Sequence, residues 1–382
     1  MNTKKLTFLE SVMLVAGAGI GTGILTIPYA IAKIGIWGTL VALVLAYIAS
    51  AAMYLVIADL TRNSVRSDDL LGILDEHLFG EKGKKPLHIL FLVMLVLLLL
   101  ENLVVYILSA GQVIADLLSV KPLFAYIIFY LLASLVVMFG VKGMGVGEKI
   151  SVCLISLVVL LLGVLSLIYR KSSLSFTFGR ADTVFAVYGL FMFAFSAIFS
   201  VMQVCNHIAK PEKAGKAILF GLTLNALITL LFSLATVIGS VTVTEIATVG
   251  LSDGIGIPFV KVLCGVLVLF AMFTSFWSSG FAFSDVIGGQ CKTPYRLSWL
   301  IATLPALLLT AVLPLTLLDF IQIGAGALSV ILVLVVLPAY AHAVKYAQKP
   351  LLLGRHSGKK RLLISVAIAI LLMSVSSFIP IR

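Results

Sequence analysis

Long apolar stretches recur along the whole chain, and the charged residues are concentrated in the short segments between them. Most of these stretches approach the ~20 residues that a helix needs to cross ~30 Å of hydrocarbon. The pattern therefore predicts about eleven membrane-spanning helices. We place them at residues 8–34, 36–60, 87–118, 123–140, 149–169, 183–209, 215–240, 257–287, 297–313, 317–344 and 362–379.

The first span is interrupted by Gly17, Gly19, Gly21 and Gly23. Each glycine weakens a helix by about 1 kcal/mol relative to alanine. Backbone groups released inside a bilayer cannot turn to lipid, so a broken helix persists only where it faces protein or a wet cavity. The glycines thus predict a binding site in the middle of this span. The alternative is a face of small residues used for close helix packing.

The sixth span holds an aromatic run at residues 191–199 and then polar Gln203, Asn206 and His207. Nothing in that run breaks a helix by itself, because it lacks proline and glycine. If spans one to five and six to ten form an inverted repeat, however, span six corresponds to span one, and interruptions at matching positions indicate a transporter site. We therefore divide the single domain 1–382 into repeats at 1–169 and 183–344, with 362–379 as an additional eleventh helix.

The longest loop, residues 61–86, contains a short amphipathic pattern. Its apolar residues fall on one helical face, and we expect this helix to lie along the membrane surface. Asp68 or Asp69 is placed to cap it and Gly80 to end it. The apolar face consists of Leu70, Leu71, Ile73, Leu74, Leu78 and Phe79.

Composition confirms the class. Hydrophobic residues make up 61% of the chain and charged residues 11%, and mean hydropathy is +1.19, values outside the range of ordinary soluble domains. With the N-terminus inside, 20 of the 27 Lys and Arg residues lie on the inner side, as the positive-inside rule requires. The net charge of +11 is therefore assigned to cytoplasmic loops and not to nucleic acid. We expect a multi-pass protein of the cell membrane, with its N-terminus cytoplasmic and its C-terminus outside.

Three motifs resemble one family of transporters. Residues 19–30, GIGTGILTIPYA, resemble the first-helix signature of the amino acid/auxin permease family, within the amino acid–polyamine–organocation superfamily that includes sodium-coupled neutral amino acid transporters. Residues 67–72 with 78–80 are similar to its link between helices two and three, and residues 193–196 with 206–213 to its sixth helix and exit loop. The resemblance implies an all-α, LeuT-type 5+5 inverted repeat with helices one and six discontinuous.

The chain departs from that family at two places. Gly17 stands where the sodium-coupled members tend to have asparagine. Span five, with an uncharged interior from Ile150 to Leu167, has no counterpart of the lysine that replaces sodium in some proton-coupled relatives. Both departures concern the coupling ion.

In such a site the substrate carboxylate is expected at the backbone N–H groups that begin the outer half of span one, where a helix N-terminus attracts anions. Carbonyls freed in span six would take the ammonium group. The aromatic residues of span six would surround the side chain, although they could equally be packing or lipid-facing residues. The expected substrate-binding residues are Gly19, Gly21, Thr22, Gly23, Tyr106, Phe193, Ala194, Phe195, Ser196 and Phe199.

Two groups of residues are candidates for ion coupling. Glu101 is the one acid that the hydropathy pattern places deep in a span, where a charge costs ~2.5–3.5 kcal/mol; it predicts a proton carrier, or else a structural or interfacial carboxyl. As the fold implies, carbonyls of Gly17 and Ile20 could form a sodium-type site with hydroxyls of span eight. Those hydroxyls, which could instead serve helix packing, belong to Thr274, Ser275 and Ser278.

Other function classes lack their usual signals. The sequence has no phosphate-binding P-loop of an ATP-driven pump, no cluster of His, Asp or Glu typical of a membrane enzyme, and no repeated pore loop. The four cysteines show no metal-site spacing. We expect a secondary active transporter, ion-coupled to Na⁺ or H⁺, that moves a neutral or aromatic amino acid. A sensor without net transport, or an exchanger or uniporter of another small amine or carboxylate, is the alternative. Expected partners are the substrate and membrane lipids, and the protein is expected to be a monomer without other cofactors.

Overall fold

The computed structural model describes residues 5–21, 23–64, 69–79, 85–312, 326, 330–376 and 378–379. This part of the chain is helical apart from the connecting segments, of which 169–180 is the longest without any helix, and one isolated β-bridge between Leu6 and Ile208. The helices are α1 (Phe8–Ile20), α2 (Gly23–Asn63), α3 (Leu70–Leu74), α4 (Lys85–Leu118), α5 (Pro122–Met138), α6 (Gly140–Ile168), α7 (Ala181–Ala194), α8 (Ile198–His207), α9 (Ala214–Gly239), α10 (Ala247–Ile255), α11 (Pro258–Cys291), α12 (Tyr295–Thr310), α13 (Leu337–Ala343) and α14 (Lys360–Ser376).

Six segments of the described chain are long and apolar enough to cross a membrane, judged by length and composition. They include the whole of α2, α4, α6 and α11, and two compound segments, Ala181–His207 and Pro211–Gly239. Shorter apolar helices, among them α1, α5 and α12, pack between them. The protein is therefore a multi-pass membrane protein.

Helix α2 contains the second half of predicted span one and all of span two. The backbone turns at Gly35, whose φ is +69°, a conformation that only glycine adopts without strain. Flanking N–H and carbonyl groups bond to the loop before α7: the Ile36 N–H donates to the Ser175 carbonyl and the Gly179 N–H to the Ile34 carbonyl, both at 2.8 Å. The predicted boundary between residues 34 and 36 coincides with this turn.

Two predicted boundaries were wrong. Helix α6 begins at Gly140 and not near residue 149. Residues 140–148, which the sequence analysis left outside the span, therefore belong to the helix. Helix α10 lies in the segment 241–256, which the hydropathy pattern left as a loop; it ends at Gly256, whose φ is +73°. The first part of predicted span ten, 317–344, lies outside the described residues at 317–325 and 327–329, and its described end contains the π-helical turn Leu332–Val336 and α13.

The predicted loop helix exists as α3 followed by the π-helical turn Asp75–Phe79. Leu70, Leu71, Ile73 and Leu74 are buried at 5% exposure or less. The apolar face of this helix therefore packs against the protein, while its orientation along the membrane surface stays a prediction. Asp69 precedes the helix without a side-chain capping bond, and Asp68, Gly80 and the side chain of Phe79 lie outside the described part.

Helix α1 occupies the centre of the molecule, where it packs against α6, α9 and α11. Its start is held by a capping box between Thr7 and Glu10 and by the Glu10–Lys142 ion pair at 2.6 Å, which joins it to α6. The preceding Leu6 bonds to the end of α8, its N–H donating to the His207 carbonyl at 2.8 Å. The end of α1, by contrast, is a break, and it faces a second break between α7 and α8.

Candidate functional site

The break in the first span is a place of close backbone approach. A Cβ at position 23 would stand 2.8 Å from the Cα of Ala194, the last residue of α7. A Cβ at position 19 would stand 3.0 Å from the Ala194 carbonyl oxygen and would overlap the Asn225 amide. Glycine is therefore required at both positions because the two broken spans touch there.

The break in the sixth span is made by side chains from other helices. The Tyr54 hydroxyl, from α2, donates to the Phe195 carbonyl and accepts from the Ala197 N–H at 2.9 Å. Asn225, from α9, donates to the Ala194 carbonyl at 3.1 Å. These bonds replace the regular helical bonds that the interruption removes, and they add to a 3.1 Å bond from the Ala197 N–H to the Phe195 carbonyl across the break. The sequence analysis missed Tyr54, and the span-six sequence carries no signal for it because the bonding residues are 141 positions apart.

A cavity of about 60 Å³ lies between the two breaks. This volume is below the ~300–1,000 Å³ typical of small-molecule sites, so an amino acid can be bound there only after the lining residues move apart. Residues from α1, α2, α4, α7, α8, α11 and the break at 195–197 line it: Ala18, Gly19, Gly21, Gly23, Leu98, Asn102, Tyr106, Phe193, Ala194, Ser196, Ala197, Ile198, Phe199, Ser275, Ser278 and Ser279.

Most of the expected substrate-binding residues are brought together in this lining. Phe195 is the exception: its ring is fully buried and packs against Phe191 at a centroid distance of 5.8 Å. Thr22 lies outside the described residues. Leu98, Ala197 and Ile198 were not anticipated, since no local pattern distinguishes them from ordinary apolar positions.

Helix α4 contributes one face to the cavity. Leu98, Asn102 and Tyr106 recur every four residues and so lie above one another. The Asn102 amide donates to the Leu98 carbonyl at 2.8 Å, and the Tyr106 hydroxyl donates to the Asn102 side-chain oxygen at 3.3 Å. Glu101 is adjacent to this face but is not among the lining residues; its Oε1 is buried, with no hydrogen-bond partner in the described chain.

The hydroxyls of α11 reach the end of α1. Thr274 donates to the Gly17 carbonyl at 3.0 Å and to the Ala271 carbonyl at 2.9 Å, and Ser275 donates to the Ala18 carbonyl at 3.4 Å. Ser278 pairs with the Ser200 hydroxyl at 2.7 Å. Ile20 is fully buried at the same break. These hydrogen bonds join α11 to α1 and to α8. This is the helix-packing role that the sequence analysis kept as the alternative for these three hydroxyls.

A second acid is more deeply buried than Glu101. Glu148, in the third turn of α6, is 0% exposed, and a Cβ at Gly17 would overlap its Oε2. The expectation that Glu101 is the one acid deep in a span is therefore wrong. Glu148 was missed because we started span five at residue 149, one position too late to include it.

Two solved transporter structures are similar to this chain over nearly its whole length. The chain is similar to the structure of Mhp1, a nucleobase-cation-symport-1 family transporter in a closed conformation with bromovinylhydantoin bound, with TM-score 0.69, 12% identity, and coverage of 99% of this chain and 92% of that one. It is also similar to MhsT in complex with L-phenylalanine, with TM-score 0.68, 16% identity, and coverage of 97% and 98%. These likenesses confirm the LeuT-type fold. No curated protein sequence matches. The model of the tryptophan/tyrosine permease family matches residues 4–376.

Proposed function

Because this chain belongs to the tryptophan/tyrosine permease family, we propose that it carries a neutral aromatic amino acid across the cell membrane by cation-coupled symport. The protein is a membrane transporter and not an enzyme. In this proposal the substrate binds in the cavity between the two breaks, and access alternates between the two sides of the membrane. The monomer, with its N-terminus cytoplasmic and its C-terminus outside, is the working unit.

The observation that carries the proposal is the meeting of two helix breaks around one cavity. Helix α2 begins at Gly23, so its first N–H groups have no intrahelical acceptor and form an anion site suited to a carboxylate. Helices α1 and α7 end at the same place, at Ile20 and Ala194, and their last carbonyls suit an ammonium group. The carboxylate of one bound amino acid could accept from the N–H groups of α2 while its ammonium group donates to the carbonyls of α1 and α7.

The rest of the lining favours an aromatic side chain. Phe193, Phe199 and Leu98 offer apolar contacts, and aromatic pairs add ~0.5–1.5 kcal/mol beyond burial. Ser278 and Ser279 add hydroxyls that could meet an indole N–H or a phenol. The match to the tryptophan/tyrosine permease family and the likeness to a phenylalanine-bound transporter support the same substrate class.

Uptake by the purified protein in proteoliposomes tests the proposal. Labelled tryptophan, tyrosine, phenylalanine, leucine, glutamate and lysine are offered separately, with a proton gradient or a sodium gradient imposed alone. We expect accumulation of the aromatic substrates above the others under one gradient. Folded protein that binds tryptophan without transporting it would be a sensor, and exchange without gradient-driven accumulation would indicate an exchanger.

Replacing Gly21 with leucine should abolish uptake without unfolding the protein. A Cβ at this position would already stand 2.6 Å from the Ser275 hydroxyl, and the larger side chain would project among the lining residues. Gly163→Leu is the matched control, because a Cβ at Gly163 meets nothing within 4 Å. Both variants should elute as monodisperse protein; full uptake by Gly21→Leu would contradict the site.

A further inference from the structure

We propose that the Glu148 carboxylate binds the monovalent cation that drives transport, a proton or a sodium ion, against the last turn of α1. The inference rests on the proposed symport function and names the residue that carries its coupling. The residue lies outside the substrate cavity, and neither hydropathy nor motif resemblance pointed to it.

The first argument is the burial of the carboxyl group. Glu148 is 0% exposed, and neither of its side-chain oxygens has a hydrogen-bond partner among the described residues. An isolated carboxylate in a low-dielectric interior is far less stable than one in water unless a positive charge compensates it. Ser151 Oγ, one turn further along α6, is also buried without a partner in that part of the chain. The helix thus presents oxygens that a bound cation would satisfy.

The second argument is what the carboxyl group faces. It takes the space in which a side chain at position 17 would stand, and the Thr274 Cβ lies 3.1 Å from that same point. Gly17 belongs to the last turn of α1, where carbonyl groups lack intrahelical donors and carry the negative end of the helix dipole. The Glu148 carboxyl group therefore lies against the last turn of α1 and close to Thr274 of α11. The negative end of the α1 dipole favours a cation there and disfavours a bare carboxylate.

The third argument is that no basic side chain neutralises Glu148. On its own helix, Lys142 is paired with Glu10 at 2.6 Å and Lys149 is exposed. The helices packed most closely on α6 are α1, α5, α9 and α11. On α5, Tyr130 pairs with Thr303 and the Tyr126 ring lies against Gly111. The charged and thiol groups of the other three helices are Glu10, Lys216, Lys261, Cys264, Asp285 and Cys291.

Those remaining groups lie away from the point where Glu148 meets Gly17. Lys216 is near the start of α9, well before Asn225, the α9 residue that faces Gly19. Lys261 and Asp285 are 13 and 11 residues from Thr274 along α11, which at ~1.5 Å per residue is more than ~16 Å. Charge compensation of Glu148 must therefore come from a bound cation.

The contact with Gly17 explains how such a cation would be coupled to substrate. Ala18 and Gly19, the next two residues, line the cavity. Without a cation, the carboxylate is repelled by the negative end of the α1 helix dipole and disfavours the packed end of α1. With a cation, that packing is stabilised and the lining keeps its shape. The two ligands then increase each other's affinity by the same factor, as linkage requires.

The test is Glu148→Gln, which keeps the shape of the side chain and removes its charge. In proteoliposomes we expect gradient-driven accumulation of tryptophan to fall by roughly tenfold or more, within the range of typical coupling free energies, while exchange of labelled for unlabelled tryptophan continues. Glu212→Gln, at an exposed position in the loop after α8, is the control with the same change of charge and should retain accumulation. Whichever gradient drives the wild type and no longer drives Glu148→Gln identifies the cation. Retained accumulation by Glu148→Gln would overturn the proposal.

Two further measurements keep the result interpretable. If Glu148→Gln does not fold, Glu148→Asp should shift the cation concentration at half-maximal uptake by roughly tenfold; an unchanged value would overturn the proposal. If the wild type transports nothing, the symport function fails by itself. Glu148 is then tested by melting temperature: sodium or low pH should stabilise the wild type and not Glu148→Gln, and equal stabilisation of both would contradict the cation site.

Discussion

Tyr54 illustrates how one side chain decides the path of a distant backbone. Spans of similar composition remain helical across a bilayer because every backbone group bonds within the helix. In span six, the Tyr54 hydroxyl replaces such bonds by serving the Phe195 carbonyl and the Ala197 N–H together. The residue is fully buried, so water cannot substitute for it. The interruption therefore depends on α2 as much as on span six itself.

Tyr54→Phe should destabilise the protein and impair transport. It removes one hydrogen bond from the Phe195 carbonyl and one from the Ala197 N–H, which leaves only the 3.1 Å bond between these two groups; each lost bond is worth about 1 kcal/mol. We expect a lower melting temperature in detergent and reduced tryptophan uptake. Tyr47→Phe, two turns earlier in α2, is the control: Tyr47 bonds to the Thr223 hydroxyl at 2.8 Å, which also donates to the Leu219 carbonyl. An equal loss in both variants would contradict this role for Tyr54.

Among whole elements, the critical contact is that between the start of α2 and the end of α7. Gly23 and Ala194 approach so closely that the Cβ and the Cα of Ala194, which cannot rotate away as a flexible side chain could, limit the distance. The four glycines of span one consequently have a packing role and a site role at once. The small-residue packing alternative and the binding-site prediction thus describe the same geometry.

Gly23→Ala should separate the two breaks and reduce uptake, because the added methyl group must displace the Ala194 backbone. Its melting temperature should fall. Gly163→Ala, in α6 with open space around it, should instead leave uptake intact and raise stability, by up to about 1 kcal/mol on helix propensity. If Gly23→Ala behaved like Gly163→Ala, the close approach of the two spans would not matter to function.

At the scale of the whole molecule, segments assigned to the same side of the membrane are found in contact. The loop after α13 bonds to the end of α2: Leu352 and Leu353 N–H groups donate to the Asp59 carboxylate at 2.6 and 3.3 Å, and Lys349 Nζ donates to the Arg62 carbonyl at 2.6 Å. The distribution of Lys and Arg assigns both segments to the inner side. The turn at Gly35 and the loop at Ser175, both assigned outside, are likewise bonded.

Cysteine labelling tests the orientation of the assembled protein. In a background with the four native cysteines replaced, Ser173→Cys and Gln348→Cys each introduce one thiol at an exposed position. A membrane-impermeant reagent applied to intact cells should label Ser173→Cys and spare Gln348→Cys until the cells are opened. The reverse pattern would invert the predicted topology.

The sequence by itself determined the membrane class, most of the spans and the break in span one. These follow from local properties: hydropathy along about 20 residues, glycine content and the distribution of basic residues. The LeuT-type fold was implied by the resemblance to a known family. The resemblance to amino acid/auxin permeases indicated a transporter, while the family shown is that of tryptophan/tyrosine permeases.

Only the tertiary structure decided which polar groups lie together at the centre. Glu148 sits only one residue before our predicted start of span five, yet the added turns of α6 and the absence of a Cβ at Gly17 place it against the end of α1. Tyr54 and Asn225 look like ordinary helix residues until packing brings them to the ends of α7 and α8. The reason is physical: a helix satisfies its backbone within four residues, whereas a broken helix is satisfied by side chains that only the packing of distant helices can supply.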